Sequence, residues 1–412
     1  MNRSFGLILS VIFLFAGFGL VNAQDLSEED IFNSDAFERK VAESRIGEET
    51  NKLQYLVGGV FLSSGAVGTT ADFDGYTASG FFAAKAFVRL TAPRYGSIYL
   101  GGNLKHTVVQ GSSGSTAYTP PDADPFTPAL ALSEYHLSFD LAKVVFFRIG
   151  NQLIAWGPST IWTPVDFINL QRINPLESVD LRVGKPAMRV HLPLKGSNFF
   201  LFVDFSASSA AEDLFQTTNY GLRWDLTALG FEFGLTGYMG YNIQNRYGFD
   251  LSGRLMGFDL YGELAFAFPY STYDFSYACS LGFQRVFGEL KNWTVSGEFF
   301  YNSDGEPDNS RYSTAALFSS SGLVPLYIGR MYAYAAVSKQ DLIGTVLDGT
   351  LYGIMNISDL SFTVRLKGSF DFPRFIPFSV SLAYSGGGVG REFTVLSGDN
   401  ALSAALEVRF EF

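Results

Sequence analysis

The chain has 412 residues, a formal net charge of −11, 16% aromatic residues and only 17% charged residues. The acidic balance disfavours nucleic acid as a partner, since phosphate binding needs clustered lysine and arginine, and the single cysteine, Cys279, excludes an intramolecular disulfide. The chain contains no internal run of about 20 apolar residues, which a transmembrane helix would need. These features fit a closed β-barrel in a membrane, whose hydrophobicity is spread over alternate residues.

The first 23 residues are predicted to be a secretory signal peptide. Asn2-Arg3 supplies a short positive region, residues 5–20 are almost entirely apolar, and Val21-Asn22-Ala23 matches a small-x-small cleavage site. A membrane anchor is the alternative. It is disfavoured because the apolar core is near the lower length limit for a span and a cleavage-like site follows it directly.

Residues 24–53 differ in character from everything that follows, because they are acidic and lack alternation. Ser27-Glu28-Glu29-Asp30 has the composition of a helix start with a capping box. Apolar residues then recur at helical spacing, namely Ile31, Phe32, Phe37 and Val41. The segment is predicted to be a periplasmic N-terminal extension, with a helical plug that enters a barrel as the alternative.

Residues 54–412 show a period of two, which places successive side chains on opposite faces of a strand. At the C-terminus, Leu406, Val408 and Phe410 alternate with Glu407 and Arg409. The chain ends on Phe412, and this resembles the C-terminal strand signature of bacterial outer-membrane barrels. The resemblance implies a place in the bacterial outer membrane, contact with its lipid, and recognition of Phe412 by the barrel assembly machinery.

The same alternation recurs along the chain and predicts an all-β fold. The predicted architecture is a transmembrane antiparallel β-barrel over residues 54–412 with 16–18 strands, 14 being a lower alternative. Short turns that contain Gly, Pro, Asn or Asp are predicted on the periplasmic side. Long external loops are predicted over 112–131, 153–186, 303–325 and 386–401.

The polar face of these strands is predicted to line a hydrated pore, because an arginine facing lipid at mid-depth costs about 2–4 kcal/mol. The predicted pore-lining residues are Glu134, His136, Asp140, Arg148, Arg189, Arg223, Asp225, Glu232, Arg254, Glu298, Arg365, Lys367, Glu407 and Arg409. His191, Asp250 and Glu263 share this face. The alternative role of these charges is to pair across strands and hold the wall.

Residues 153–186 are the best candidate for a loop that folds inward and constricts the pore. The candidate constriction residues are Asp166, Arg172, Glu177, Asp180, Arg182 and Lys185. Charges of both signs across a narrow opening orient polar solutes. The Trp156-Gly157 and Pro164-Val165-Asp166 stretches resemble a pattern of porin-type families, although Asn151 and Thr163 replace the family's Arg and Asn. An external loop packed on the rim is the alternative.

The sequence therefore predicts a porin-like channel for passive diffusion of small polar solutes. One rival is a hatch-gated channel for hydrophobic substrates, similar to the long-chain fatty-acid channels, with residues 24–53 as the hatch. A surface adhesin barrel and an enzyme at the rim are further rivals. No enzyme activity is predicted, because the sequence lacks a Gly-x-Ser-x-Gly nucleophile motif. No cofactor or metal is predicted either, because the three histidines, His106, His136 and His191, and the one cysteine do not have metal-ligand spacing.

Overall fold

The computed structural model describes residues 53–411, with gaps at 71–72, 74, 112–128, 169–180, 208–216, 242, 269–274, 289, 291, 309–326, 344–345, 372–375, 389 and 396–400. The predicted signal peptide and the N-terminal extension as far as residue 52 lie outside the described residues. Phe412 lies outside them as well.

The described residues form eighteen strands and one short helix. In chain order the strands are β1 (Gln54–Thr70), β2 (Tyr76–Ala92), β3 (Gly96–Gly111), β4 (Ala129–Leu141), β5 (Val145–Gln152), β6 (Lys185–Leu194), β7 (Ser197–Asp204), β8 (Asn219–Ala228), β9 (Phe231–Gly240), β10 (Asn245–Leu255), β11 (Phe258–Phe268), β12 (Ser276–Phe287), β13 (Trp293–Asn302), β14 (Met331–Ile343), β15 (Leu347–Asn356), β16 (Ser361–Phe370), β17 (Phe378–Gly386) and β18 (Ala401–Glu411). The helix, α1 (Glu392–Val395), lies between β17 and β18.

The strands close into a barrel. Each strand pairs antiparallel with its neighbours in sequence, and β1 also pairs with β18 in a register that runs from Val60↔Glu411 to Thr70↔Ala401. Closure leaves no strand with an unpaired edge, which a structure that crosses hydrocarbon requires. The predicted all-β antiparallel barrel is confirmed, and its 18 strands are the upper end of the predicted range.

Side chains alternate between an apolar outer face and a polar inner face. On β8, Leu222 and Trp224 point outward and are exposed on the bare protein surface, whereas Gly221, Arg223 and Asp225 point inward. Phe249 of β10, Leu366 of β16 and Leu406 of β18 continue the outer face. The outer surface of the described strands is therefore predominantly apolar, while most of their ionisable side chains are collected inside.

Turn length divides the barrel into two ends. Two-residue turns follow β8 and β10, and Leu229-Gly230 and Met256-Gly257 have positive φ at both residues, as type I′ hairpins require. The longer connections, which include 153–184, 205–218 and 303–330, are all at the other end. β1 begins and β18 ends at the short-turn end. Within the described residues, no helix has the length and apolar character needed to cross a bilayer.

Candidate functional site

Residues 153–168, named here the inner loop, leave the end of β5 and pack against the inner face of the barrel. Six of their apolar side chains are buried, namely Ile154, Trp156, Trp162, Val165, Phe167 and Ile168. They pack with inward-facing residues of the wall, such as Phe202 on β7, Ala265 on β11 and Tyr332 on β14. The core of the molecule therefore lies between this loop and one side of the wall.

Glu298 on β13 anchors the centre of the inner loop. Its Oε1 accepts a hydrogen bond from the backbone N–H of Trp162 at 2.8 Å. Its Oε2 accepts from the N–H groups of Thr160 and Ile161, both at 3.2 Å, and from the Thr160 hydroxyl at 3.0 Å. The Tyr261 hydroxyl also donates to Oε2 at 3.1 Å. A buried carboxylate needs such partners, because desolvating a charge without hydrogen bonds is costly.

Glu263 on β11 is the second anchor. Its Oε1 accepts from the N–H of Ser159 at 2.8 Å and its Oε2 from the N–H of Val165 at 3.0 Å. The Ser159 hydroxyl meets the hydroxyl of Ser280 on β12 at 2.7 Å. Two carboxylates thus satisfy five backbone donors between residues 159 and 165, which a loop without secondary structure could otherwise satisfy only with water.

Missing side chains in the wall make room for the inner loop. A Cβ on Gly221 would lie 2.9 Å from the Trp156 ring, and a Cβ on Gly248 would lie 2.8 Å from Val165. In the loop, Gly157 has φ +97°, and a Cβ there would collide with the Glu263 carboxylate. These glycines allow the backbone of the loop to lie close to the barrel wall.

The inner loop is also braced where it begins and where the chain returns. Its first N–H, that of Leu153, donates to Oε1 of Glu134 at 3.0 Å. Asp166 forms an ion pair with Arg182 on the returning segment at 3.3 Å. The amide of Asn103 on β3 donates to the Leu181 carbonyl at 3.0 Å. The inner loop and the returning segment are therefore held to opposite sides of the barrel, since β13 and β3 are far apart around the wall.

Three of the six candidate constriction residues are described. Asp166 and Arg182 pair with each other, and Lys185, at the start of β6, lies 3.6 Å from Asp204 on β7. Asp204 also accepts a hydrogen bond from the Tyr238 hydroxyl at 2.5 Å. Arg172, Glu177 and Asp180 lie outside the described residues.

Inward-facing arginines at the middle of the wall contact polar side chains on their own strand and on other strands. Arg223 on β8 donates two hydrogen bonds to Asp250 on β10, at 2.7 and 2.9 Å, and also contacts Asp225 at 2.7 Å. Arg148 on β5 donates to the Ser138 hydroxyl at 3.3 Å. Bidentate Arg–carboxylate pairs are the stronger type of ion pair, so these residues also hold the wall together.

Other predicted pore-lining residues face aromatic rings on the inner side. His136 stacks on Tyr99 with ring centroids 5.0 Å apart. The Arg189 guanidinium lies 5.9 Å from the Phe200 ring, and that of Arg365 lies 6.0 Å from the Tyr352 ring. The inner wall therefore offers cations and aromatic faces side by side.

The remaining predicted residues lie near the short-turn end. Lys367 pairs with Glu407 at 3.3 Å, and both line a cavity of about 320 Å³ together with Arg409. Arg254 pairs with Asp259 at 2.6 Å, and Asp140 accepts the Lys143 N–H in a turn at 2.8 Å. Glu232 is exposed beside the turn before β9. This end of the barrel thus carries a wet, mixed-charge mouth.

Some inward-facing ionisable residues were missed by the sequence analysis. Lys85 and Arg89 on β2 are buried on the inner face, on which Ala83 and Phe87 also lie. The same period of two carried the signal, since Lys85 and Arg89 are four residues apart and therefore share a face. Among the described residues, no three His, Cys, Asp or Glu side chains are grouped closely enough to hold a metal ion.

Glu392 of α1 joins three connections at the long-loop end. Its carboxylate accepts hydrogen bonds from the Tyr332 hydroxyl at 2.5 Å, the Asn356 amide at 2.6 Å and the Ile328 N–H at 3.1 Å. Its own N–H donates to Asp359 at 2.7 Å. Burial raises the pKa of Glu392 to about 7, partly offset by these hydrogen bonds and reinforced by the Asp359 charge.

Glu392 docks α1 onto the connection before β14 and onto the ends of β14 and β15. We expect this docking to weaken as the pH rises. An acid whose pKa is raised from 4.5 to about 7 on docking binds more protons docked than undocked between these values. Docking is therefore strongest at the acid end of this window and weakens towards pH 7, by at most tenfold per pH unit for one proton. Hydrogen-exchange protection factors at Ile328 and Gly329, corrected for intrinsic rates, measure this.

The controls separate Glu392 from its neighbours. Glu392→Gln should flatten the pH profile of both amides, because an amide does not titrate in this range. Asp304→Asn, which removes an exposed carboxylate from the connection after β13, should leave the profile unchanged. A profile that keeps its slope in Glu392→Gln contradicts the assignment.

The structure is similar to several solved outer-membrane proteins. OccAB1 of Acinetobacter baumannii has a TM-score of 0.53 at 10% identity, over 88% of this chain and 99% of that chain. OpdQ of Pseudomonas aeruginosa has a TM-score of 0.51 at 6% identity, over 87% and 99%. OpdK of the same organism, solved with vanillate, has a TM-score of 0.50 at 11% identity, over 86% and 99%.

The chain has the fold of the outer-membrane porins. The porin-type fold expected from the sequence is thereby confirmed. No protein-family model and no curated protein sequence matches the chain. The likeness rests on backbone geometry alone, and the roles of individual residues have to be argued from the contacts described above.

Proposed function

We propose that the protein is a channel of the bacterial outer membrane that allows small polar solutes to diffuse through a charged lumen. One observation carries the proposal. A closed wall of eighteen strands has an apolar outer face and a charged inner face, and the inner loop is fixed to that inner face by Glu263 and Glu298. A barrel of this size has an aqueous channel unless its lumen is filled.

The selectivity of this channel is proposed to arise from the inner loop and the charges beside it. The Asp166–Arg182 pair belongs to the inner loop and the returning segment, and Arg223 with Asp250 lies on the wall. Charges of both signs around a narrow passage orient polar solutes and disfavour apolar ones. As a channel, the protein catalyses no reaction. We also propose that the barrel assembly machinery recognises Phe412 and inserts the barrel into the membrane.

Single-channel recording in a planar bilayer tests the proposal. We expect discrete conductance steps from the chain that begins at residue 24, and permeation of small polar solutes, vanillate among them, in a liposome-swelling assay. Steps that occur only after residues 24–53 are removed would favour the hatch-gated channel. Silence of both forms would contradict an open pore and favour an adhesin.

Cysteine labelling tests which face meets water. In a Cys279→Ala background, Ser381→Cys places a thiol on the inner face of β17, and Leu382→Cys places one on the adjacent outer position. A membrane-impermeant charged thiol reagent should reduce the conductance of the Ser381→Cys channel and leave that of Leu382→Cys unchanged. The reverse pattern would contradict a hydrated lumen.

A further inference from the structure

Two cations depart from the apolar pattern of the outer face. Arg285 on β12 shares its face with Leu281, and Lys339 on β14 shares its face with Val337, and both of these apolar residues are exposed on the bare surface. Among the described strands, these are the only Arg or Lys side chains on the outer wall. Both lie at the short-turn end, where β12 ends and β14 nears its end.

Each cation is positioned by an aromatic ring. The Arg285 guanidinium lies 4.7 Å from the centroid of the Phe258 ring, and the Lys339 ammonium lies 5.0 Å from the centroid of the Trp293 ring. Trp293 in turn stacks on Phe287 at 6.2 Å. Neither cation forms an ion pair with a carboxylate among the described residues. Each is therefore held on the surface by a ring face, with its charge uncompensated by a described neighbour.

Strand register places the two cations around Trp293. Trp293 on β13 is directly opposite Phe287 of β12 on one side and Lys339 of β14 on the other. Arg285 lies two residues before Phe287 on β12, opposite Val295. Neighbouring strands are about 4.8 Å apart and the two residues are offset by two positions along the strands, so the backbone positions that carry the cations are about 12 Å apart. The Lys339 ammonium lies over Trp293 on β13, between the two strands, whereas the Arg285 guanidinium lies over Phe258 on β11 and has to turn towards β13 for one phosphate to meet both cations.

The wall beyond this pair is suited to an acyl chain. Leu281, Phe299 and Val337 continue the outer face of β12, β13 and β14 from the cations towards the middle of the barrel. A ring-backed cation pair at the edge of an apolar wall matches a phospholipid, which has an anionic phosphodiester above hydrocarbon. Basic side chains near a membrane surface attract anionic lipid.

We propose that Arg285, Lys339 and Trp293 form a binding site for the phosphodiester headgroup of an anionic phospholipid. The short-turn end faces the periplasm in the orientation predicted from the sequence, so the lipid belongs to the leaflet on that side. The proposal requires the barrel to lie in a bilayer and is independent of whether the barrel conducts.

Native mass spectrometry of the full chain with phosphatidylglycerol and with phosphatidylcholine tests this site. We expect wild-type protein to retain phosphatidylglycerol preferentially. The double variant Arg285→Gln/Lys339→Gln should lower its apparent affinity for phosphatidylglycerol by about tenfold or more, which is the effect of two cations at a membrane surface. Trp293→Leu should give a smaller loss, because it removes the ring beneath Lys339 and keeps both charges.

Matched cations at the same end serve as the control. Arg94 and Lys195 lie in short turns after β2 and β6 and are exposed, so Arg94→Gln/Lys195→Gln removes the same charge away from the outer wall. This control should retain phosphatidylglycerol as the wild type does. Equal retention by both double variants, or equal binding of phosphatidylcholine and phosphatidylglycerol by the wild type, would overturn the site. Heat-modifiable gel mobility reports whether each variant has a folded barrel.

Discussion

Replacing Glu298 with alanine is expected to release the centre of the inner loop from β13 and to increase single-channel conductance. The substitution leaves the N–H groups of Thr160, Ile161 and Trp162 without their acceptor. Hydrogen bonds to charged groups contribute about 1.5–3 kcal/mol each, so the docked position should lose about 3 kcal/mol or more. A loss of that size is a factor of about 100 in the docking equilibrium.

Two further variants separate anchoring from loss of charge. Glu298→Gln keeps one acceptor oxygen but turns an NH₂ donor towards backbone donors, so its conductance should also rise, although less than that of alanine. Glu232→Ala removes an inner-face carboxylate that is exposed near a short turn, away from the loop. Its conductance should stay close to that of the wild type. Equal conductance in Glu298→Ala and Glu232→Ala would contradict the anchoring role.

The barrel itself was predictable from the sequence because a bilayer imposes its pattern residue by residue. On β18, Leu406, Val408 and Phe410 alternate with Glu407 and Arg409 in the sequence, and the structure places these two sets on opposite faces. Met256-Gly257 forms a two-residue turn with positive φ at both residues, and the glycine is the feature of the sequence that indicates it. Local periodicity and turn residues were therefore sufficient for the barrel and for a range of 16–18 strands, of which the structure has the upper value.

The anchors of the inner loop were only half predictable. Alternation places Glu263 and Glu298 on the inner face, but it cannot reveal that their acceptors meet backbone groups more than 90 residues earlier in the chain. Conversely, the Trp- and Pro-rich stretch from 153 to 186 indicates a packed loop without indicating which strands it contacts. Pairings at this sequence separation depend on the closed barrel, which no local pattern encodes.

Paired charges show the same limit. Arg223, Asp225 and Asp250 each follow from alternation, yet the bidentate contact between Arg223 and Asp250 requires the register of β8, β9 and β10. From the sequence alone, pore lining and wall pairing are both possible roles for these residues. Geometry favours wall pairing for Arg223 and loop anchoring for Glu134, whose carboxylate accepts the Leu153 N–H.

Trp162→Ala is expected to detach the same loop by an independent route. Trp162 has no exposed surface, stacks on Phe300 with ring centroids 5.5 Å apart and contacts Tyr327 edge-on at 5.7 Å. Truncating a fully buried tryptophan costs about 3–5 kcal/mol, because it leaves a cavity as well as losing contact. The loss falls on loop docking, since Trp162 belongs to no strand, so the barrel should remain folded while conductance rises and becomes noisier.

Comparison with a second tryptophan decides whether packing against the inner wall is the cause. Trp224 lies on the outer face of β8 and donates its ring N–H to the Ser197 hydroxyl at 3.0 Å. Trp224→Ala removes the same side chain without touching the inner loop, so its conductance should match that of the wild type. Trp162→Phe should restore most of the docked state, because a smaller ring can still stack on Phe300. If Trp162→Ala conducts like Trp224→Ala, burial of Trp162 contributes nothing to the width of the pore, and the two carboxylates alone hold the loop.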